Sequence, residues 1–219
     1  LAPGLTYRDA NIDNRVLLDQ FLAMNRATSM EEFQDAHANY QGIPWVNTMS
    51  ASADGRAWYT DSTPTPNLSD EAIAAWEERI ASNDFVTLAA FELAGLFVFD
   101  GSNPRDEWVE EDGARNPGLV PFADMPKLER TDYIFNANDS HWLTNLSEPL
   151  EGYHRLHGEE RSPRRPRTRM NARILTEGAD GYAGDDGKFT LEEFQQAALG
   201  NRSFMGELLR DEVVERCTA

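Results

Sequence analysis

Cysteine is almost missing from this chain of 219 residues: Cys217 stands alone, which excludes a disulfide within it. No apolar run is long enough to cross a bilayer as a helix, so no membrane partner is expected. The first residues, Leu1-Ala2-Pro3-Gly4, show neither the basic start nor the apolar stretch of a signal peptide. Positive charge is scarce. Twenty Lys and Arg against 38 Asp and Glu leave a net charge of −18, which argues against binding nucleic acid or an anionic surface. The phosphate loop, the dinucleotide fingerprint and the Gly-x-Ser-x-Gly elbow are all lacking. With 40% hydrophobic residues the chain can still bury a sizeable core. No clean linker interrupts it, so residues 1–219 are expected to form a single unit.

Helical and extended patterns alternate along the chain without internal repeats. Val16, Leu17, Phe21, Leu22 and Met24 form a helix-like stripe within Asp13 to Asn25. Ser29-Met-Glu-Glu32 reads as a capping box that opens a second helix to about Tyr40, stopping at Gly42. Two strands, Pro44 to Ser52 and Arg56 to Asp61, flank Ala53-Asp54-Gly55, a strong hairpin signal. Ser69 or Asp70 caps a third helix through Ile80. Leu88 to Phe99 is apolar enough to be buried and is expected to end in a strand, Leu96 to Phe99. A Pro- and acid-rich loop then leads to a strand at Tyr133. Helices are expected again at about Arg167 to Glu177, Thr190 to Leu199 and Ser203 to Arg216. The fold class is therefore α+β.

Four segments carry candidate chemistry. Tyr133-Ile-Phe-Asn136-Ala-Asn138-Asp139-Ser140-His141-Trp142 ends an apolar run on two asparagines spaced by one residue. On an extended chain they present two neutral amides on one face, a good oxyanion donor; Asn, Asp and Ser also cluster in plain turns, and local chemistry leaves both readings open. Asp180 to Phe194 resembles the end of an EF-hand calcium loop. With Gly187 as the loop glycine, however, the first and third ligand positions fall on Tyr182 and Gly184, which carry no carboxylate. A turn and a helix capped near Thr190 is the simpler reading, and a calcium-binding EF-like interaction module is the alternative. Seven arginines between Arg155 and Arg173 make a basic stretch without interleaved aromatics, expected to be a solvated face with one or two members turned inward. His154 and His157 are three apart but lack a third ligand cluster, so they are expected at the surface and no metal site is expected. Asp139, Ser140 and His141 are neighbours in sequence, and adjacent residues do not face one another as a triad does.

A longer pattern spans nearly the whole chain. It runs through Asp9-Ala-Asn-Ile-Asp-Asn14, Phe21-Leu-Ala-Met-Asn-Arg-Ala27, Ser29-Met-Glu-Glu-Phe33, Gln41-Gly-Ile-Pro-Trp-Val-Asn47 and Ala53-Asp-Gly-Arg-Ala-Trp-Tyr-Thr-Asp61. It continues in Phe99-Asp-Gly-Ser102, Asn136-Ala-Asn-Asp-Ser-His-Trp142, Pro149-Leu-Glu-Gly152 and Arg167-Thr-Arg169. In this order and spacing the chain resembles the β-subunit of the penicillin-acylase family of N-terminal-nucleophile hydrolases, on the branch of acyl-homoserine-lactone and aculeacin-type lipopeptide acylases.

The resemblance implies part of a four-layer α-β-β-α fold, cut from a precursor into α and β chains. It implies hydrolysis of an apolar-acyl amide, such as a fatty acyl-homoserine lactone, lipopeptide or penicillin. The β-chain's N-terminal serine would act as nucleophile and its own α-amine, with a pKa near ~8, as base. No cofactor is implied. The partners are the α-subunit and the remaining β-subunit, and the location is periplasmic or secreted. Asn138 matches the oxyanion asparagine and Asn136 a supporting residue. Arg169, with Arg167 as the second choice, matches the arginine that steadies amine and asparagine. Trp45, Ala57 and Trp58 match the region of the acyl pocket. Because the chain begins with Leu1, the serine, the histidine after it and the backbone oxyanion donor are expected upstream, and the chain alone is expected to be inactive. Ser102 falls in an internal loop and does not match the nucleophile.

Overall fold

In the computed structural model, residues 4–178, 181–184 and 186–218 are described. Seven helices and one three-stranded sheet lie among them, in an α+β order. Residues gather into two compact units, 1–48 with 60–127 and 152–158, and 49–59 with 128–151 and 159–219.

The first unit opens with α1 (Leu17–Arg26) packed on α2 (Met30–Tyr40). The helix stripe predicted from Asp13 begins four residues later. Asn14 turns aside instead: its Nδ2 donates to the Gly42 carbonyl at 2.8 Å and to Asn11 Oδ1 at 3.1 Å. The capping box is half formed. Ser29 Oγ accepts from the Glu32 amide, but the Glu32 carboxylate accepts from the amide and hydroxyl of Thr28 rather than from Ser29. The stop comes at Gln41, which takes the left-handed conformation (φ 48°) one residue before Gly42. Gly42 is needed for a different reason: a Cβ there would stand 2.8 Å from Val16 Cγ2.

Between α1 and α2 lies a buried polar chain. Gln20, His37 and Ser62 are fully buried. Gly42 N donates to Gln20 Oε1 (2.5 Å), Gln20 Nε2 donates to His37 Nδ1 (3.1 Å), and Ser62 Oγ lies 2.9 Å from the same nitrogen. An Nδ1 that accepts places the ring proton on Nε2. Burial penalises the imidazolium and pushes the His37 pKa down to about 4. The unfolded chain, with a His pKa of about 6.5, then binds a proton that the folded chain refuses between those values. Stability should be full above pH ~6.5 and fall by about 3 kcal/mol as pH drops towards 4. Denaturant midpoints across this range, compared with His37→Gln, test the assignment; an identical acid slope in the variant would refute it.

Helix α3 (Asp70–Ala81) is capped by Ser69, whose Oγ accepts from Ala72 N at 3.2 Å, and packs on α4 (Phe85–Ala94). The strand expected at Leu96 to Phe99 does not form. Gly95 ends α4 at φ +65°, and the aromatic rings after it turn onto α3: Phe97 lies 4.5 Å from Trp76 and 5.3 Å from Phe91 between centroids. One face of α4 stays open, with Phe85, Val86 and Leu93 exposed.

The second unit holds most of the sheet, order β1-β2-β3. β1 (Thr48–Ala51) and β2 (Ala57–Thr60) form the expected hairpin, shorter than expected, with Gly55 at φ +88°. β3 (Lys127–Arg130) lay inside the segment read as loop. The strand expected at Tyr133 is absent; Phe135 N reaches a single partner, the Thr144 carbonyl at 2.9 Å, so the segment closes a loop instead of joining a ladder. Three helices complete the unit, α5 (Pro166–Thr176), α6 (Leu191–Leu199) and α7 (Phe204–Thr218), with α5 packed on α7.

Candidate active site

The two asparagines do not share a face. Asn138 adopts the left-handed conformation (φ 62°), which Asn tolerates better than most residues. Its amide donates to Asn136 Oδ1 at 2.7 Å, closing an Asx turn, and Asn136 Nδ2 donates to the Asp139 carbonyl at 3.1 Å. Asn136 is therefore spent on the backbone, while the exposed side chain of Asn138 projects from the turn. Turn and amide donor are one structure here, not alternatives.

Asn138 Oδ1 accepts from Arg167 Nη2 at 3.4 Å, and its Nδ2 has no partner among the described residues. A guanidinium on the carbonyl end polarises the amide and leaves the N–H end free to donate. That is the polarity an oxyanion would require. Arg169 does not reach Asn138. Its Nε donates to the Arg164 carbonyl at 3.0 Å, and its guanidinium carbon sits 5.8 Å from the Phe204 ring centroid. Two residues along a helix turn the side chain to another face, which the motif Arg167-Thr-Arg169 alone does not reveal.

The neighbours of Asn138 diverge. Asp139 meets Arg165 Nε at 3.0 Å and accepts from the hydroxyl of Thr168. Ser140 Oγ caps the Trp142 amide at 3.3 Å. His141, 1% exposed, lies 3.4 Å from Glu160 Oε1. The three residues in a row serve three separate partners. Ser102, in its loop, donates to Asp100 Oδ1 at 2.7 Å in a second Asx turn.

The other candidates separate as follows. Trp45, 75% exposed and at φ 59°, lines a cavity of about 170 Å³ in the first unit with Val46, Asn47, Thr63, Leu156 and His157. Ala57 and Trp58 sit on β2 in the second unit, where Trp58 is core. His154 and His157 are half-buried rather than at the surface: His154 Nδ1 accepts from Leu156 N at 3.2 Å, which leaves the ring proton on Nε2 to donate to the Leu68 carbonyl at 3.1 Å, and His157 Nδ1 lies 3.2 Å from Thr65 Oγ1. Burial lowers the His154 pKa. Of the arginines, Arg161 and Arg173 pair with Glu151 and Glu177, as a solvated face should, and Arg155 is the one that turns inward, over the Trp76, Phe91 and Phe97 rings. In the EF-like segment Asp180 and Asp185 lie outside the described residues, as does Leu1. Glu193, its bidentate candidate, closes a full capping box on Thr190, accepting from the amide at 2.7 Å. Among the described residues no group of three potential metal ligands occurs, and no helix is long and apolar enough to cross a membrane.

The family model for penicillin amidase matches residues 3–218. The chain belongs to the penicillin amidase family. It is 35% identical over 217 residues to aculeacin-A acylase of Actinoplanes utahensis, covering 99% of this chain and 27% of that protein. It is 32% identical over 210 residues to the acyl-homoserine lactone acylase PvdQ of Pseudomonas syringae, covering 95% and 25%. With PvdQ of Pseudomonas fluorescens Pf-5 the identity is 35% over 163 residues, covering 74% and 20%. This member of the family thus spans about a quarter of the length of the curated relatives it matches.

Proposed function

We propose that the chain is a portion of the β-subunit of an autoprocessed, periplasmic or secreted acylase, and that it supplies the oxyanion-stabilising asparagine. The carrying observation is Asn138, held at the tip of an Asx turn with its carbonyl engaged by Arg167 and its Nδ2 free. The four-layer α-β-β-α fold would be completed by the α-subunit and the rest of the β-subunit. A serine at the N-terminus of the mature β-chain, elsewhere in the precursor, attacks the amide carbonyl and passes its proton to its own α-amine. The oxyanion accepts from Asn138 Nδ2 and a backbone amide. The C–N bond then breaks, the amine leaves with the proton, and water releases the acid from the serine ester. On this reading the chain alone turns over nothing.

Between the two candidate arginines, the geometry favours Arg167 as the residue that polarises Asn138. Trp45, on its open cavity, is the better candidate for touching an acyl chain, while Ala57 and the buried Trp58 hold the frame of β2. The proposed substrate is an amide with an apolar acyl group; the acylase names of the three relatives support the removal of an acyl group. The mature full-length enzyme, given a long-chain N-acyl-homoserine lactone, is expected to release free fatty acid and homoserine lactone in equal amounts. Opening of the lactone ring with the amide intact would overturn the reaction type.

A further inference from the structure

Helix α5 starts at Pro166 with Arg165 at its N-cap, no side-chain cap and no acid in its first turn. A helix start without a cap leaves unpaired N–H groups and a positive dipole end, which a carboxylate relieves. Asp139, from the asparagine turn, reaches this first turn through the side chains of Arg165 and Thr168 and not through its N–H groups. Its side chain is 16% exposed, meets Arg165 Nε at 3.0 Å and accepts from the hydroxyl of Thr168. Thr168 is 1% exposed and follows Arg167 directly in the first turn of α5. Asp139 follows Asn138 just as directly. The Asp139–Thr168 bond therefore ties the turn that carries Asn138 to the helix that carries Arg167. The long Arg167–Asn138 contact of 3.4 Å depends on the register of two backbone segments rather than on its own strength.

We infer that Asp139 and Thr168 are positioning residues, a latch that sets the Asn138 amide against Arg167 and so aims its Nδ2. The inference rests on the reading of Asn138 as the oxyanion donor. Neither residue touches substrate, so the latch acts through turnover and not through binding of the acyl group.

The test uses the mature full-length enzyme. Thr168→Val keeps the shape and the buried methyl but removes the hydroxyl. It is expected to lower kcat about tenfold with KM nearly unchanged, and Thr168→Ser, which restores the hydroxyl, should recover most of the loss. In an Asn138→Gly background Thr168→Val should add no further loss, because the latch has nothing left to aim. Should Thr168→Val fail to accumulate, Asp139→Asn, which weakens the same latch from its less buried partner, should give the same pattern. Wild-type kcat in Thr168→Val, or an equal loss in both backgrounds, would overturn the latch while leaving Asn138 in its role. Wild-type kcat in Asn138→Gly would instead remove the reading on which the latch rests.

Discussion

Replacing Asn138 by alanine in the mature enzyme is expected to lower kcat by about 10²–10³ while KM changes little. The asymmetry follows from where charge develops. The ground-state carbonyl asks little of a donor, whereas the tetrahedral oxyanion carries a full charge that Nδ2 meets without reorganising. Removing one such donor costs about 2.7–4 kcal/mol of transition-state stabilisation. Asn138 sits at φ 62°, so alanine adds strain of about 1–2 kcal/mol to the turn and could disturb it on that ground. Asn138→Gly separates the two causes, because glycine relaxes the backbone and still lacks the amide. Both variants should lose turnover alike, with the melting temperature near native in Asn138→Gly and a few degrees lower in Asn138→Ala, roughly as its added strain requires. Turnover preserved in Asn138→Gly would mean that the turn, and not the amide, is what the enzyme needs.

Trp76→Ala is expected to destabilise the protein by about 3–5 kcal/mol, the largest effect foreseen on stability. Trp76 is 1% exposed on α3. Phe91 meets it edge-on at 5.0 Å with an interplanar angle of 78°, Phe97 lies at 4.5 Å, and the Arg155 guanidinium stands 5.6 Å from its centroid. The residue thus joins α3, α4 and the segment after Gly95 in one cluster, and its loss opens a cavity that three elements line. Its indole N–H finds no partner among the described residues. A buried donor without an acceptor costs about 1–3 kcal/mol, so Trp76→Phe should lose much less than alanine, despite the smaller ring. Urea denaturation of the three proteins tests this order. A loss below about 1 kcal/mol for alanine would show that the cluster does not hold these elements together.

Helix starts with a local cap were legible because the signal is a few residues long. Ser69 before α3 and Thr190 before α6 fell where the pattern put them, while the part of Glu193 in the second cap came from the structure. The hairpin at Asp54-Gly55 did too, since a positive φ at glycine is a local demand. Two apolar runs, Leu96 to Phe99 and Tyr133 to Phe135, looked like strands and are not. A strand exists only where a partner offers a ladder, and these runs pack rings on a helix or close a loop instead. At the start of α5, Pro166 suits the first turn, and no local Ser, Thr or Asp caps it. Nothing local named Asp139 as the partner of Thr168.

The sequence by itself determined the family and the α+β class, because both are written in order, spacing and short-range chemistry. Only the tertiary structure decided which arginine faces Asn138 and what fixes it there. Arg167 and Arg169 are equivalent as residues of a motif, and they differ only once α5 is wound and docked through Thr168 against Asp139. Side-chain direction on a helix changes by about 100° per residue, so the choice between two arginines belongs to the packing of the helix and not to its composition.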